Sequence, residues 1–229
     1  MREGVEAVQR ELIGCRRCGR LRNYCEKIAS QKRRAYREQT YWGKPVPGFG
    51  DPDARLFIVG LAPGAHGGNR TGRLFTGDSS GTFLFNSMFR AGFSNLSDSV
   101  HRGDGLRLTD AYISAVVHCA PPANKPLPRE IRNCRSYLVR EFESLLRLRA
   151  VLVLGRIALD GYLAALRQMG RLQEGVPKVR FAHGASFLLS PSLPRLFTSY
   201  HPSRQNTQTG RLTVSMLDSV FSQIREFLG

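Results

Sequence analysis

Hydrophobic positions along this chain alternate between two periods. Near the N-terminus Val5, Val8 and Leu12 recur at spacings of three and four, which predicts a short helix over 3–13. Leu56-Phe57-Ile58-Val59 is an unbroken apolar run, as expected of a parallel strand buried on both faces, and predicts a strand over about 55–61. Helical spacing returns at Leu84, Met88 and Ala91. It predicts a helix over 80–91 with Asp78 or Ser79 as its N-cap and Gly92 as its stop. A second strand is expected over about 111–118, ending at Cys119 and the Pro121-Pro122 pair. A helix from about Arg129 to Leu148 then leads to a third strand, Ala150 to Leu154, and to another helix over 156–168. Phe181-Ala182-His183 and Leu196-Phe197-Thr198 mark further strand positions. The last helix, 213–228, aligns Val214, Leu217, Val220, Phe221, Ile224 and Leu228. Strands that alternate with helices predict an α/β fold: a mainly parallel sheet with helices on both faces, in one domain spanning 1–229.

Three segments break the pattern. Residues 40–53 hold three prolines and three glycines among aromatics, so they can join neither a helix nor a ladder. Residues 16–37 carry nine Lys or Arg against one acid, Glu26, within an N-terminal basic extension of about 1–40. The third is Gly60 to Asp78, GLAPGAHGGNRTGRLFTGD, with six glycines between the first strand and the next helix. Such a loop brings backbone N–H groups to the carboxyl edge of the sheet, where open α/β folds bind ligands. A second polar turn, His201-Pro202-Ser203, follows the last strand and could meet the first over one pocket.

Composition adds a partner. The chain of 229 residues carries 34 basic and 18 acidic side chains, a net charge of +16. A surplus of that size attracts polyanions, nucleic acid foremost and anionic membrane second. No apolar run approaches the roughly 18 residues of a spanning helix, and the amphipathic, partly acidic N-terminus does not read as a secretory signal. The expected location is cytoplasmic and nucleoid-associated, where thiols stay reduced. Five cysteines then point to metal ligation before disulfides. Cys15-x-x-Cys18 and the wider pair Cys119 and Cys134 could enclose one metal centre, zinc or an iron–sulfur cluster, and the unlike spacing favours a cubane cluster. Cys25 reads as a buried thiol. The centre's simplest role is structural, stapling the basic arm to the sheet.

The glycine loop is neither G-x-G-x-x-G nor a Walker loop, so a dinucleotide or phosphate-transfer site lacks its fingerprint. Its offering is the backbone around Gly60, Leu61 and Ala62. Asp78 is its first carboxylate and reads either as a helix cap or as a functional acid. His201 stands at a strand's carboxyl end. Phe75 is either core or a platform for a base, and Asn124 either a turn residue or a reader of a base edge.

Taken together, Cys15-x-x-Cys18, YWGKPVPGFGDPDARLFIVGLAPGAHGGNRTGRLFTGD, Cys119-Ala-Pro-Pro-Ala-Asn124-Lys-Pro, Cys134 and YHPSRQNTQTGRLT resemble the iron–sulfur uracil-DNA glycosylases, and most closely their family-5, or type B, branch. The resemblance spans nearly the whole chain. It implies a three-layer α/β/α sandwich around a four-stranded, mainly parallel sheet. It also implies a [4Fe–4S] cluster on Cys15, Cys18, Cys119 and Cys134, and hydrolysis of the bond between a damaged base and deoxyribose. Substrates in that branch extend beyond uracil to hypoxanthine, hydroxymethyluracil and ethenocytosine. Many members of the wider superfamily carry a polar catalytic residue where this chain has Leu61-Ala62, and a uracil-reading asparagine in strand two where it has Ser114 and Ala115. The resemblance therefore leaves catalysis to Asp78 and His201, with Asn124 serving base reading in part. Gly60, Leu61, Ala62 and Phe75 would bind the extruded base, and Arg70, Arg73, Ser203, Arg204, Gln205 and Asn206 would contact DNA. The expected partner is double-stranded DNA carrying uracil or a related lesion. Single-stranded DNA and a sliding clamp are secondary expectations, and the chain is expected to be a monomer. The rival from another class is a non-catalytic nucleic-acid-binding protein stapled by zinc.

Overall fold

The structure, a computed structural model, describes residues 4–172 and 179–229; Glu3, the first residue of the expected N-terminal helix, lies outside them. The element order is α1 (Val5–Ile13), α2 (Gly19–Gln31), β1 (Phe49–Gly50), β2 (Leu56–Gly60), α3 (Gly68–Thr71), α4 (Ser79–Arg90), β3 (Ala111–Ala115), α5 (Pro128–Ser144), β4 (Ala150–Leu154), α6 (Arg156–Gln168), β5 (Ser186–Phe187), β6 (Arg195–Ser199), α7 (Arg204–Gln208) and α8 (Val214–Leu228). Single 3-10 turns lie at Arg34–Tyr36 and Pro122–Asn124.

The sheet runs β1-β3-β2-β4-β6-β5. Its four central strands β3, β2, β4 and β6 are parallel, as expected. Two antiparallel strands of two residues each, β1 and β5, extend the expected four strands to six. Both are edge strands cut short by neighbouring turns, a length at which apolar periodicity carries no signal. β2 and β4 lie side by side although β3 intervenes in sequence, so the crossover reverses direction between them. That reversal marks the crevice in which open α/β sheets hold ligands.

Alternation along each strand sends residues to two cores. Leu56, Ile58, Leu152 and Leu154 pack with α4 and α8 through Leu84, Phe85, Leu217 and Phe221. Phe57, Val59, Val151 and Val153 pack on the other face with α5 and α6 through Leu138, Phe142, Leu159 and Tyr162. This is the three-layer α/β/α arrangement, and both faces of the parallel strands are dry, which explains their unbroken apolar runs. α1 seats Val8 and Leu12 on Tyr137 of α5, so the N-terminal arm joins the second layer of helices.

Some expectations shift. Strand two stops at Ala115, opposite the end of β2 at Gly60; Val116 and Val117 beyond it still donate to the Gly60 and Leu61 carbonyls, each at 3.0 Å. Phe181-Ala182-His183 forms no strand; it is a loop whose Ala182 carbonyl accepts from Thr198 Oγ1. The basic stretch contains helix α2, whose buried face is only Leu21 and Cys25, too sparse to register as a helical period. Among the described residues no helix is long and apolar enough to cross a membrane.

Candidate active site

The turns after β2 and β6 meet. Phe75 lies over the end of β2 so closely that a Cβ on Gly60 would come within 2.9 Å of its ring. Glycine is what lets the aromatic sit on the strand's backbone. Phe75 itself has φ +50°, a conformation rare for a bulky residue and retained only where the surroundings impose it. Its ring stands beside the imidazole of His201, with centroids 5.7 Å apart and planes tilted by 30°. His201 follows β6 with only Tyr200 between them. Among the described residues neither ring nitrogen has a hydrogen-bond partner, while its carbonyl accepts from Asn206 Nδ2 at 2.9 Å. Burial pushes the imidazole down to about 4, so the ring is neutral at pH 7. A cavity of about 330 Å³ opens alongside, lined among others by Leu61, Gly155, Tyr200, His201, Asn206 and Arg211.

Asp78 has two tasks, one for each oxygen. Oδ1 caps α4 by accepting from Gly81 N at 3.0 Å. Oδ2 faces the glycine loop, where a Cβ on Gly67 would collide with it and one on Gly64 would stand 3.1 Å away. Capping thus occupies one oxygen and leaves the other facing the loop. Burial raises its pKa, partly opposed by the Gly81 and Ser80 amides and by Arg70. At the strand end the Gly60 and Leu61 carbonyls are taken, but the Leu61 and Ala62 amides donate to nothing among the described residues.

The residues expected on DNA divide. Arg204 and Gln205 are exposed in the first turn of α7 with side chains unengaged among the described residues. Ser203 instead caps that helix, accepting from Asn206 N at 3.4 Å, and Asn206 turns inward to His201. Arg70 and Arg73 are corrections: they are only 7% and 6% exposed. Arg70 donates to the carbonyls of His66 and Gly77, each at 2.7 Å, and lies 4.0 Å from the Tyr36 ring centroid. Arg73 pairs with Asp104 at 2.6 Å and donates to Ser99 and Thr76 hydroxyls. Both brace the glycine loop from inside, with guanidiniums engaged within the fold rather than presented to a phosphate. Asn124 is exposed on the 3-10 turn, and no hydrogen bond or ring contact joins it to Phe75 or His201.

The four cysteines singled out from the sequence line one cavity, together with Arg17, Arg22, His118 and Tyr137. Two N–H groups already point at sulfur, His118 N to Cys134 at 3.4 Å and Asn133 Nδ2 to Cys18 at 3.5 Å. Burial raises the Cys134 thiol, the His118 amide opposes this, and the three other thiols raise it further. Cationic metal reverses that preference and favours thiolate, so the donor set fits a soft metal centre. Among the described residues no three His, Cys, Asp or Glu side chains form a ready cage for a single ion. Cys25 is buried beneath this group, with Sγ 3.7 Å from the Ala120 carbonyl.

Sequence reasoning passed over Gly155 and Tyr200. Gly155 follows β4 and is the N-cap of α6, with a φ of +96°, and it lines the cavity. Tyr200 lines the cavity and stacks on His183 at 5.2 Å; its adjacency to His201 was the available signal.

Residues 47–225 match the family described as the uracil DNA glycosylase superfamily. The type-5 uracil-DNA glycosylase of Thermus thermophilus is 47% identical over 224 residues, covering 98% of each chain. That of Pyrobaculum aerophilum is 44% identical, over 91% of this chain and 87% of its own. The type-4 uracil-DNA glycosylase of Archaeoglobus fulgidus is 31% identical over 68% of this chain and 62% of its own. The chain belongs to the uracil-DNA glycosylase superfamily.

Proposed function

We propose that this protein is a DNA base-excision glycosylase: it hydrolyses the N-glycosidic bond of uracil and other deaminated or damaged bases in DNA and leaves an abasic site. The observation that carries the reading is the pairing of Phe75 and His201 over the bare backbone of Gly60, at the strand-order reversal. Superfamily membership and the type-5 relatives support it. A zinc-stapled binding protein would have no use for a strained aromatic beside an imidazole without partners.

A base within a duplex is out of reach, so the lesion must leave the stack at a cost of a few kcal/mol. Exposed Arg204 and Gln205 stand on the turn that would fill the vacated space. Phe75 offers its face to the extruded base, and the Leu61 and Ala62 amides offer donors to the base edge. Bond cleavage drives negative charge onto the base. A neutral His201 with a free ring N–H would donate to the base oxygen that receives it, as oxyanion donors do. Asp78, in its charged form, would support the cationic sugar or orient the attacking water. Asn124 would read part of the base's hydrogen-bonding edge. Cys15, Cys18, Cys119 and Cys134 would hold a [4Fe–4S] cluster through their thiolates, which would fasten the arm to α5 and to the segment after β3.

Single-turnover excision from a U:G duplex tests the assignment. His201→Ala and Asp78→Asn should each lower the rate about 10²–10³-fold, the loss seen when one oxyanion donor is removed. Wild-type rates in both folded variants overturn it. Wild-type activity should also fall in acid at a pH above the ordinary carboxylate range, because burial raises Asp78 and its charged form is the working one.

A further inference from the structure

The segment between Cys119 and Cys134 holds two consecutive residues in the left-handed region, Ala123 at φ +52° and Asn124 at φ +56°. Asn tolerates this conformation; Ala has no side-chain hydrogen bond to offset it. The turn's own bonds are two, Asn124 N to Pro121 O at 3.1 Å and Lys125 N to Pro122 O at 3.0 Å, and the residues are exposed, so packing does not impose the shape. A strained exposed turn persists only if its flanks are held.

The exit flank is held by one guanidinium. Arg20, two residues beyond Cys18, donates through Nη2 to the Lys125 carbonyl at 3.2 Å, next to Asn124. The same side chain grips Glu130 with Nε and Nη2, each at 2.8 Å. Glu130 Oε2 in turn accepts from Leu127 N at 2.7 Å, closing the first turn of α5. Arg20 thus ties the exit of the turn and the start of the helix to the arm. Glu130, 2% exposed, has both oxygens committed to this task. The Asn124 side chain meanwhile is bonded to nothing among the described residues and is presented outward.

We propose that Arg20 and Glu130 are positioning residues, which hold the Pro122–Asn124 turn in its left-handed form so that Asn124 meets the edge of the extruded base. This rests on the reading of Asn124 as a base reader given above. The geometry demands arginine: its planar fork binds a carboxylate in two places while reaching a carbonyl, which an ammonium cannot do. Without the clamp the turn relaxes toward ordinary φ and Asn124 leaves its station. The loss then falls on discrimination among bases, because an unmet hydrogen-bonding group on the base edge is penalised only when that group is present.

The experiment compares single-turnover excision of uracil and of hypoxanthine, at saturating and subsaturating duplex, in the full-length protein with Arg20→Gln, Arg20→Lys, Glu130→Gln and Asn124→Ala. Iron content, absorbance near 400 nm and thermal melting are followed in parallel. Asn124→Ala should change the uracil-to-hypoxanthine ratio about tenfold. Arg20→Gln and Glu130→Gln should shift it in the same direction, Arg20→Lys should restore little, and Arg20→Gln combined with Asn124→Ala should add nothing to Asn124→Ala alone. Iron content and absorbance should stay at the wild-type level. A ratio moved by Asn124→Ala but not by Arg20→Gln or Glu130→Gln overturns the positioning role alone. A ratio unmoved by Asn124→Ala overturns the base-reading role and the proposal with it. Full additivity of the double variant also overturns it, as does loss of iron that accounts for the shift.

Discussion

At the carboxyl edge of the sheet several polar groups stand without partners among the described residues; much of the N-terminal arm is tied together, although Arg22 Nη1 is buried there without a partner and Arg34 is exposed and unengaged. On the first side are the imidazole of His201, the Leu61 and Ala62 amides, and the Arg204 and Gln205 side chains. On the second, Gln9 donates to both Gly48 O and Tyr112 Oη at 2.9 Å, Glu11 pairs with Arg140 and Arg17, Arg20 with Glu130, and Arg22 with Glu26. A buried donor left unpaired costs about 1–3 kcal/mol, so evolution leaves one where water or a ligand completes it. The arm instead spends its polar groups on attachment. Buried side-chain atoms without partners also lie in the frame, at Arg22, His118 and Tyr162 among others, so what distinguishes the edge is the cavity that Leu61 and His201 share, and the two regions should respond differently to substitution.

Gly67→Ala gives the sharpest break between them. A methyl at this position runs into Asp78 Oδ2 and pushes the carboxylate off its line. A misplacement of about 1 Å at a reacting group costs on the order of 10²-fold in rate. Excision from a U:G duplex should therefore fall about 100-fold while duplex affinity holds. A wild-type rate would show that Asp78 acts from the cap alone and that its second oxygen is idle.

The rim was legible because its demands are local. A strand followed by six glycines, FTGD before a helix, and a histidine just past the last strand are all written in short windows, and the structure gathers Gly60, Phe75 and His201 as that reading requires. The arginines were illegible for the converse reason. In sequence Arg70 and Arg73 look as available as Arg204, and only the fold brings Tyr36, Gly77, Ser99 and Asp104 around them. The inward turn of Asn206 and the capping by Ser203 were hidden likewise, since nothing in SRQN tells a short helix from a loop laid on DNA. The two-residue edge strands and the sparse face of α2 lie below the length at which periodicity registers. The Arg20–Glu130 clamp joins residues 110 positions apart, which no local pattern can announce.

Glu141 tests the frame without touching the rim. It is fully buried in α5 and accepts from Ser114 Oγ at 2.5 Å and Tyr112 Oη at 3.4 Å, with His118 Nε2 3.9 Å away. Burial pushes its carboxyl up to about 7, although Ser114, Tyr112 and Gly48 oppose the shift; burial likewise pushes His118 down to about 4. A carboxyl raised by folding stabilises fully below its unfolded value and loses that contribution as pH rises through the folded one. The wild type should therefore lose about 1–2 kcal/mol of stability between pH 6 and 8.5, and Glu141→Gln should not. His118 works at the other end of the scale, since its protonation weakens the fold only below the ordinary imidazole range. Urea midpoints at the two pH values read the difference. Excision of uracil by Glu141→Gln at pH 7 should match the wild type; a large fall would carry this carboxyl across from frame to reaction.

The smallest effect separates cations on the surface from cations in the frame. Arg34 is exposed and its guanidinium is unengaged among the described residues, whereas Arg73 is locked to Asp104, Ser99 and Thr76. Each phosphate neutralised by a side chain contributes about 0.9 to the slope of log affinity against log salt. Arg34→Ala should lower that slope by about one and weaken duplex binding by a few-fold at physiological salt, equally for uracil and hypoxanthine, because a phosphate carries no base identity. Arg73→Met should leave the slope alone and lower the melting temperature, since it strands Asp104 without its cation. Fluorescence-anisotropy titrations across a salt series, run beside thermal melts, distinguish the two. Should Arg73→Met reduce the slope while Arg34→Ala does not, the buried arginine is released when DNA binds. The glycine loop would then open on the duplex rather than wait for it preformed.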